Sequence, residues 1–230
     1  MNDPQKMLQS AALEALDPLW NHFAKEGREG AVFAPLAKYP NAAAWLAQRM
    51  AMSTDCVARK LGAMLAGWIR DPKYTGLLSQ TLEHERKVYR DDSVSANSVA
   101  EDIMFAATRW TESQNPRVRQ AGIDVLASMI TDALEGTPWN TVHWAVANLH
   151  HATEGNHEVF RRLANATDTQ MEGQKFLQNA VRALKQNDHQ TLGRFVTAPS
   201  GVHSLPSNDP NYSVVSSLWK AAASVEAALG

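Results

Sequence analysis

Apolar residues recur three and four positions apart along almost the whole chain. Near the start the series is Leu8, Ala11, Ala12, Ala15, Leu16, Leu19, Trp20 and Phe23. Its cleanest stretch is Val118, Ala121, Gly122, Val125, Leu126, Met129, Ile130, Ala133 and Leu134. Residues at that spacing share one face of an α-helix but scatter over both faces of a strand, so the pattern predicts amphipathic helices. No segment sustains period-two alternation, and no Asn-Gly or Asp-Gly pair joins two apolar runs as a hairpin would require. An all-α fold is expected.

Polar and proline punctuation divides the pattern into successive helices. Asp17-Pro18 should kink or split the first helix, because proline lacks the amide its turn needs, and Gly27 to Gly30 should end it. A short apolar piece, 31–38, leads to Pro40, with Asn41 as N-cap of a helix through Trp45, Leu46, Arg49 and Met50. Ser53-Thr54-Asp55 caps a stripe of Val57, Ala58, Leu61, Met64, Leu65, Trp68 and Ile69. Asp71-Pro72, Asp91 to Ser93, Asn115-Pro116 and Gly136 to Pro138 mark further boundaries. Later helices run through 142–149, 156–166 and 174–185, the last with Phe176, Leu177, Ala180, Val181 and Leu184 on its stripe. A polar loop over 197–211 precedes a terminal helix. The chain 1–230 reads as a single all-helical domain, either a stacked solenoid or a globular multi-helix bundle.

The segment Asn115-Pro116-Arg117-Val118-Arg119-Gln120-Ala121-Gly122-Ile123-Asp124-Val125-Leu126 resembles one half of a HEAT repeat. Its proline sets the turn into the helix, Val and Leu pack inward, and a small residue lets the neighbouring helix approach. Echoes occur at Asp55 to Arg59, Asp71-Pro72 and Asp92 to Val94, so the resemblance extends over about 54–166. It implies a right-handed α-solenoid of HEAT-like helix pairs, with the first and last helices covering the open ends of the array.

Composition narrows the function classes. Formal net charge is -2, and charged residues of both signs make up 20% of the chain. With a pI of about 6.4, the surface lacks the electrostatic footprint that phosphate contacts need. Cys56 is the single cysteine, so neither an internal disulfide nor a cysteine-rich zinc site can form, which fits a cytoplasmic setting. Residues 1–6 are polar and no apolar h-region follows, which argues against a cleaved signal peptide. No apolar run approaches the roughly 18 residues of a membrane span, and mean hydropathy is -0.34.

Candidate sites are few. His143, His150, His151 and His157 cluster near Glu154 and Glu158 but form no HExxH pattern. They read as helix-flank histidines rather than metal ligands. A step of 100° per residue puts Trp144 opposite the stripe of Val142, Ala145, Val146 and Leu149, together with Asn148 and His151. It either packs against a second neighbour or stands out as a contact anchor, with Trp139 in the same patch. Arg117, Arg119, Arg161 and Arg162 could project onto one surface. HEAT-like alkylpurine DNA glycosylases combine a basic face with Trp and a catalytic Asp. Arg109, Trp110 and Asp124 are the matching residue types here, without that family's catalytic motif, and Arg119 with Asp124 is expected to be an ion pair. Cys56, at a helix start, has no base beside it and reads as an inert thiol. GxSxG, Walker A and GxGxxG are absent.

The sequence therefore points to a protein–protein interaction scaffold or adaptor, one version being a bacterial immunity-type protein that binds and masks a partner. The alternative is a HEAT-like DNA glycosylase or other nucleic-acid-processing enzyme. Expected binding residues are Trp139, Trp144, His151, Arg117 and Arg161. No catalytic residue, metal site or cofactor is assigned, another protein is the expected partner, and nucleic acid and membrane are disfavoured.

Overall fold

Side-chain caps set where the helices start. In the computed structural model, which describes residues 3–167, 171–186 and 204–229, Asp3 accepts from the Gln5 amide and Pro4 opens α1 (Pro4–Pro18). Pro18 does not split the segment as expected. The chain passes directly into a π-helical stretch, Leu19–Ala24, at whose end the Lys25 amide donates to Trp20 O, one residue further back than in an α-helix. Gly27, at φ 66°, then ends the helix. There follow α2 (Gly30–Leu36), α3 (Pro40–Ala51), α4 (Cys56–Trp68), a 3-10 turn (Pro72–Tyr74), α5 (Leu77–Val88), α6 (Ser93–Thr111), α7 (Pro116–Leu134), α8 (Val142–Thr153), α9 (Glu158–Ala164), α10 (Lys175–Lys185) and α11 (Tyr212–Leu229). Among the described residues there is no strand, so the protein is all-α. Of the expected polar loop, 197–203 lies outside the described residues, while 204–211 is irregular and leads into α11.

Contacts between Cα atoms divide the chain into two compact units, Met1–His84 with Ser200–Gly230, and Glu85–Pro199. In the first, α11 packs on α1 and α3, and α3 packs on α4. Leu8, Phe23, Phe33, Leu36, Leu61 and Leu65 are buried there. Asn41 is not the cap of α3, because Pro40 already occupies the first helical position. The cap comes from 184 residues downstream, where Glu226 of α11 accepts from the Ala42 amide at 2.9 Å. Its other oxygen accepts from Asn41 Nδ2 at 2.8 Å, and Asn41 Oδ1 in turn accepts from Lys73 Nζ and the Tyr74 hydroxyl. A carboxylate at a helix N-terminus meets both the free amides and the positive end of the dipole.

In the second unit α7 packs between α6, α8 and α9. Its stripe of Val118, Val125, Leu126, Met129 and Ile130 is buried, as its regularity predicted. Two close approaches match across the units. A Cβ added at Gly122 would lie 2.6 Å from Ala107 O and 2.9 Å from both Thr111 N and Trp110 Cβ, so α7 sits backbone-to-backbone on α6. A Cβ at Gly62 would lie 2.6 Å from Ala51 N, 2.9 Å from Ala47 O and 3.0 Å from Met50 Cβ, which seats α4 on α3 in the same way. One constant offset in residue number relates every member of the two sets. The same offset relates their entries: Ser53 Oγ accepts from the Asp55 amide and Ser113 Oγ from the Asn115 amide. Asp55 and Asn115 then cap α4 and α7 through the amides two residues on.

Candidate functional site

Asp132, near the end of α7, organises one surface of the second unit. Its carboxylate accepts from Arg86 Nε at 3.0 Å and from Trp139 Nε1 at 3.0 Å, and its carbonyl accepts from the Thr137 amide. Those bonds tie the turn after α7 to the helix it leaves. Trp139 is 1% exposed, with Tyr89 edge-on at 5.3 Å. It is a buried wall under this surface and offers no contact face to a partner. At the other side of the turn, Gln174 Nε2 donates to Ala133 O at 2.6 Å and fixes the start of α10.

On this frame four rings from three helices come together. Trp144 of α8 lies 5.7 Å from Phe105 of α6 and 5.0 Å from His143. His143 stacks on Phe176 of α10 at 4.9 Å and an interplanar angle of 18°. Phe105, His143 and Trp144 are half-buried and Phe176 is 44% exposed. Helix periodicity had put Phe176 on the inward stripe of α10, but it stands at the edge of that stripe and reaches His143 instead. Trp144 combines both readings open to it, packed on its flanks yet open to solvent. Asn148, which shares its side of the helical wheel, is buried, with Nδ2 donating to Trp144 O and Met104 Sδ. Burial lowers the His143 pKa from 6.5, and a hydrogen bond with the Asn140 backbone opposes that shift.

Two cavities lie in this part of the second unit, the smaller of them reaching Phe176. A small one of about 110 Å³ is lined by Pro138, Trp139, Asn140, Gly173 and Phe176. A larger one of about 540 Å³ shares Pro138, Asn140 and Gly173 with it and extends to Tyr89, Ser93, Asn97 and Glu101. Gly173, at φ 73°, lines both with open space where a Cβ would stand.

The other expected site residues do not join the rings. His151 is exposed on α8, Arg117 on the first turn of α7 and Arg161 on α9. The basic surface is partly spent on structure, since Arg119 donates to Ala152 O and Arg162 to Thr131 Oγ1 and Glu135. The expected Arg119–Asp124 pair does not form: five residues apart on one helix they point apart, and Asp124 accepts from Gln120 at i−4 instead. The histidines serve four separate ends. His143 stacks, His150 meets Phe160 edge-on at 5.6 Å, His151 is solvated and His157 caps α9 through Nδ1. Among the described residues no three of His, Cys, Asp or Glu form a metal-holding group, and no helix is long and apolar enough to cross a membrane. Sequence reasoning missed Phe105, Phe176 and Glu101. A ring on a helix flank was the available signal for the first two.

No protein-family model matches the chain, and no curated protein or solved structure matches it.

Proposed function

We propose that this protein is a non-catalytic interaction adaptor that presents the surface of Phe105, His143, Trp144 and Phe176 to another protein. The observation that carries this reading is the assembly of four rings from α6, α8 and α10 that remain half-open to solvent. Rigid aromatic side chains bury large areas at small entropic cost and are enriched at interface hot spots. A HEAT-like helix-pair architecture, with α3–α4 and α6–α7 as two pairs, is the fold we propose beneath it, supported by the matched seats of Gly62 and Gly122. An immunity-type protein that masks its partner is the narrower form of the same reading. The nucleic-acid alternative gains no support from the matching residues, for Trp110 and Arg109 are buried and Asp124 is bonded to Gln120.

The test is co-purification from the native host with wild type and with Trp144→Ala, followed by mass spectrometry. A stoichiometric protein lost from the Trp144→Ala sample is the expected result. Recovery of the same protein with both, or tight salt-sensitive binding of duplex DNA at physiological ionic strength, would overturn the reading.

A further inference from the structure

The larger of the two cavities has an uneven hydrogen-bonding inventory. The Asn97 side chain is already used: Nδ2 donates to Ser93 O at 2.9 Å, and Oδ1 accepts from the Asn140 backbone amide at 2.8 Å. At the start of α6, Ser95 N donates to the Asp92 carboxylate at 3.0 Å, which also offsets the positive helix end there. The walls also carry the Glu101 carboxylate, about two turns inside α6, with the Asn140 side-chain amide and the hydroxyls of Tyr89, Ser93, Ser98 and Thr141. Glu101 is half-buried, and among the described residues nothing pairs with it. It is also the sole charged residue lining this cavity. A partly desolvated carboxylate gains most from a charged donor, and a cavity of about 540 Å³ has room for a long side chain. Val94, 81% exposed at the rim, offers apolar surface to the stem of such a chain.

We propose that this cavity receives an arginine or lysine side chain of the partner protein, with Glu101 binding the cationic head while the rings hold an apolar neighbour in the same segment. The proposal rests on the adaptor reading for its partner, but the cavity can be probed without one. The probe is a blocked tripeptide, acetyl-Gly-Arg-Gly-amide, titrated into the full chain by two-dimensional NMR. Its neutral counterpart carries norleucine in place of arginine. The arginine peptide is expected to shift the amide signals of Asn97, Glu101 and Asn140, and the norleucine peptide to leave them in place. Glu101→Gln should weaken the arginine response about tenfold, the loss of one charge-assisted contact. Equal responses to both peptides, no response to either, or an unchanged response in a folded Glu101→Gln protein would overturn the proposal. The norleucine comparison needs no variant, so it stands even if Glu101→Gln folds poorly. Arginine binding with a partner indifferent to Trp144→Ala would sink the adaptor surface and spare the cavity. A Trp144-dependent partner with no arginine response would do the reverse.

Discussion

The α3–α4 and α6–α7 pairs share a backbone design and differ in what fills it. Each begins its second helix with a serine-braced Asp or Asn cap, and each brings a glycine onto the carbonyl and amide of the helix before. At four matching buried positions the first pair has Ala43, Ala58, Ala63 and Ala66 where the second has Ile103, Val118, Ile123 and Leu126, although Leu46 of the first stands in the reverse sense where the second has Ala106, and both pairs bury further leucine or valine. Even the flanking ring corresponds, Trp45 in one pair and Phe105 in the other, both half-buried. Among the described residues, it is in the second pair that a following helix, α8, packs on both members and adds Trp144 beside that ring. The third helix on α3 is α11. The glycine seat thus sets how two helices meet, while side-chain volume and the third helix decide what surrounds the pair.

The largest expected contrast lies in the side chains. Leu126→Ala should cost about 2–5 kcal/mol, the range for a buried leucine truncation, while Ala66→Gly at the matching place in α4 should cost only about 1 kcal/mol, mostly helix propensity. Urea denaturation of both variants measures this, and equal losses would mean that the two interfaces do not divide the work as their volumes indicate. The seats come next. Gly62→Ala and Gly122→Ala each push a Cβ against backbone that cannot swing aside, at about 1–3 kcal/mol. Similar losses would support the correspondence, and a neutral result at either site would break it.

The smallest effect concerns His143, which the first pair lacks. Its pKa is lowered in the folded state by burial, so the unfolded chain binds the proton more readily. Its contribution is fully present above about pH 6.5 and is lost as pH falls toward the lowered folded value. Between about pH 7.5 and 5.5 the melting temperature of wild type should drop more than that of His143→Gln. Identical drops would show that His143 is as well solvated in the fold as out of it.

Much of the helix order was legible because caps and periodicity are local. Asp55, Asn115 and Pro116 act where short-range rules place them. Asn41 was misread because its neighbour Pro40 had claimed the helix start, and the true cap, Glu226, carries no local mark of its role. The seats were half-legible. A small residue after Asn115 signalled close approach, but the matching Ser-x-Asp and Ser-x-Asn entries, each followed by glycine, became meaningful only when both glycines were found on equivalent backbone atoms. The rings were harder still. Phe176 reads as one more core residue until the angle between α8 and α10 brings it over His143, and no periodicity encodes that angle.

The carboxylate that finishes α3 has a consequence for the order in which the chain matures. Asn41 and Glu226 are 185 residues apart, a stretch a ribosome takes roughly 10–40 s to make. For most of that interval α3 is complete without its cap or the α11 surface against which it packs. The helices α6, α7 and α8 follow one another without interruption and can close their interfaces as they emerge. The nascent protein can therefore close α6, α7 and α8 while the first unit still lacks α11, with the α3 face that α11 covers open to chaperones until that helix arrives.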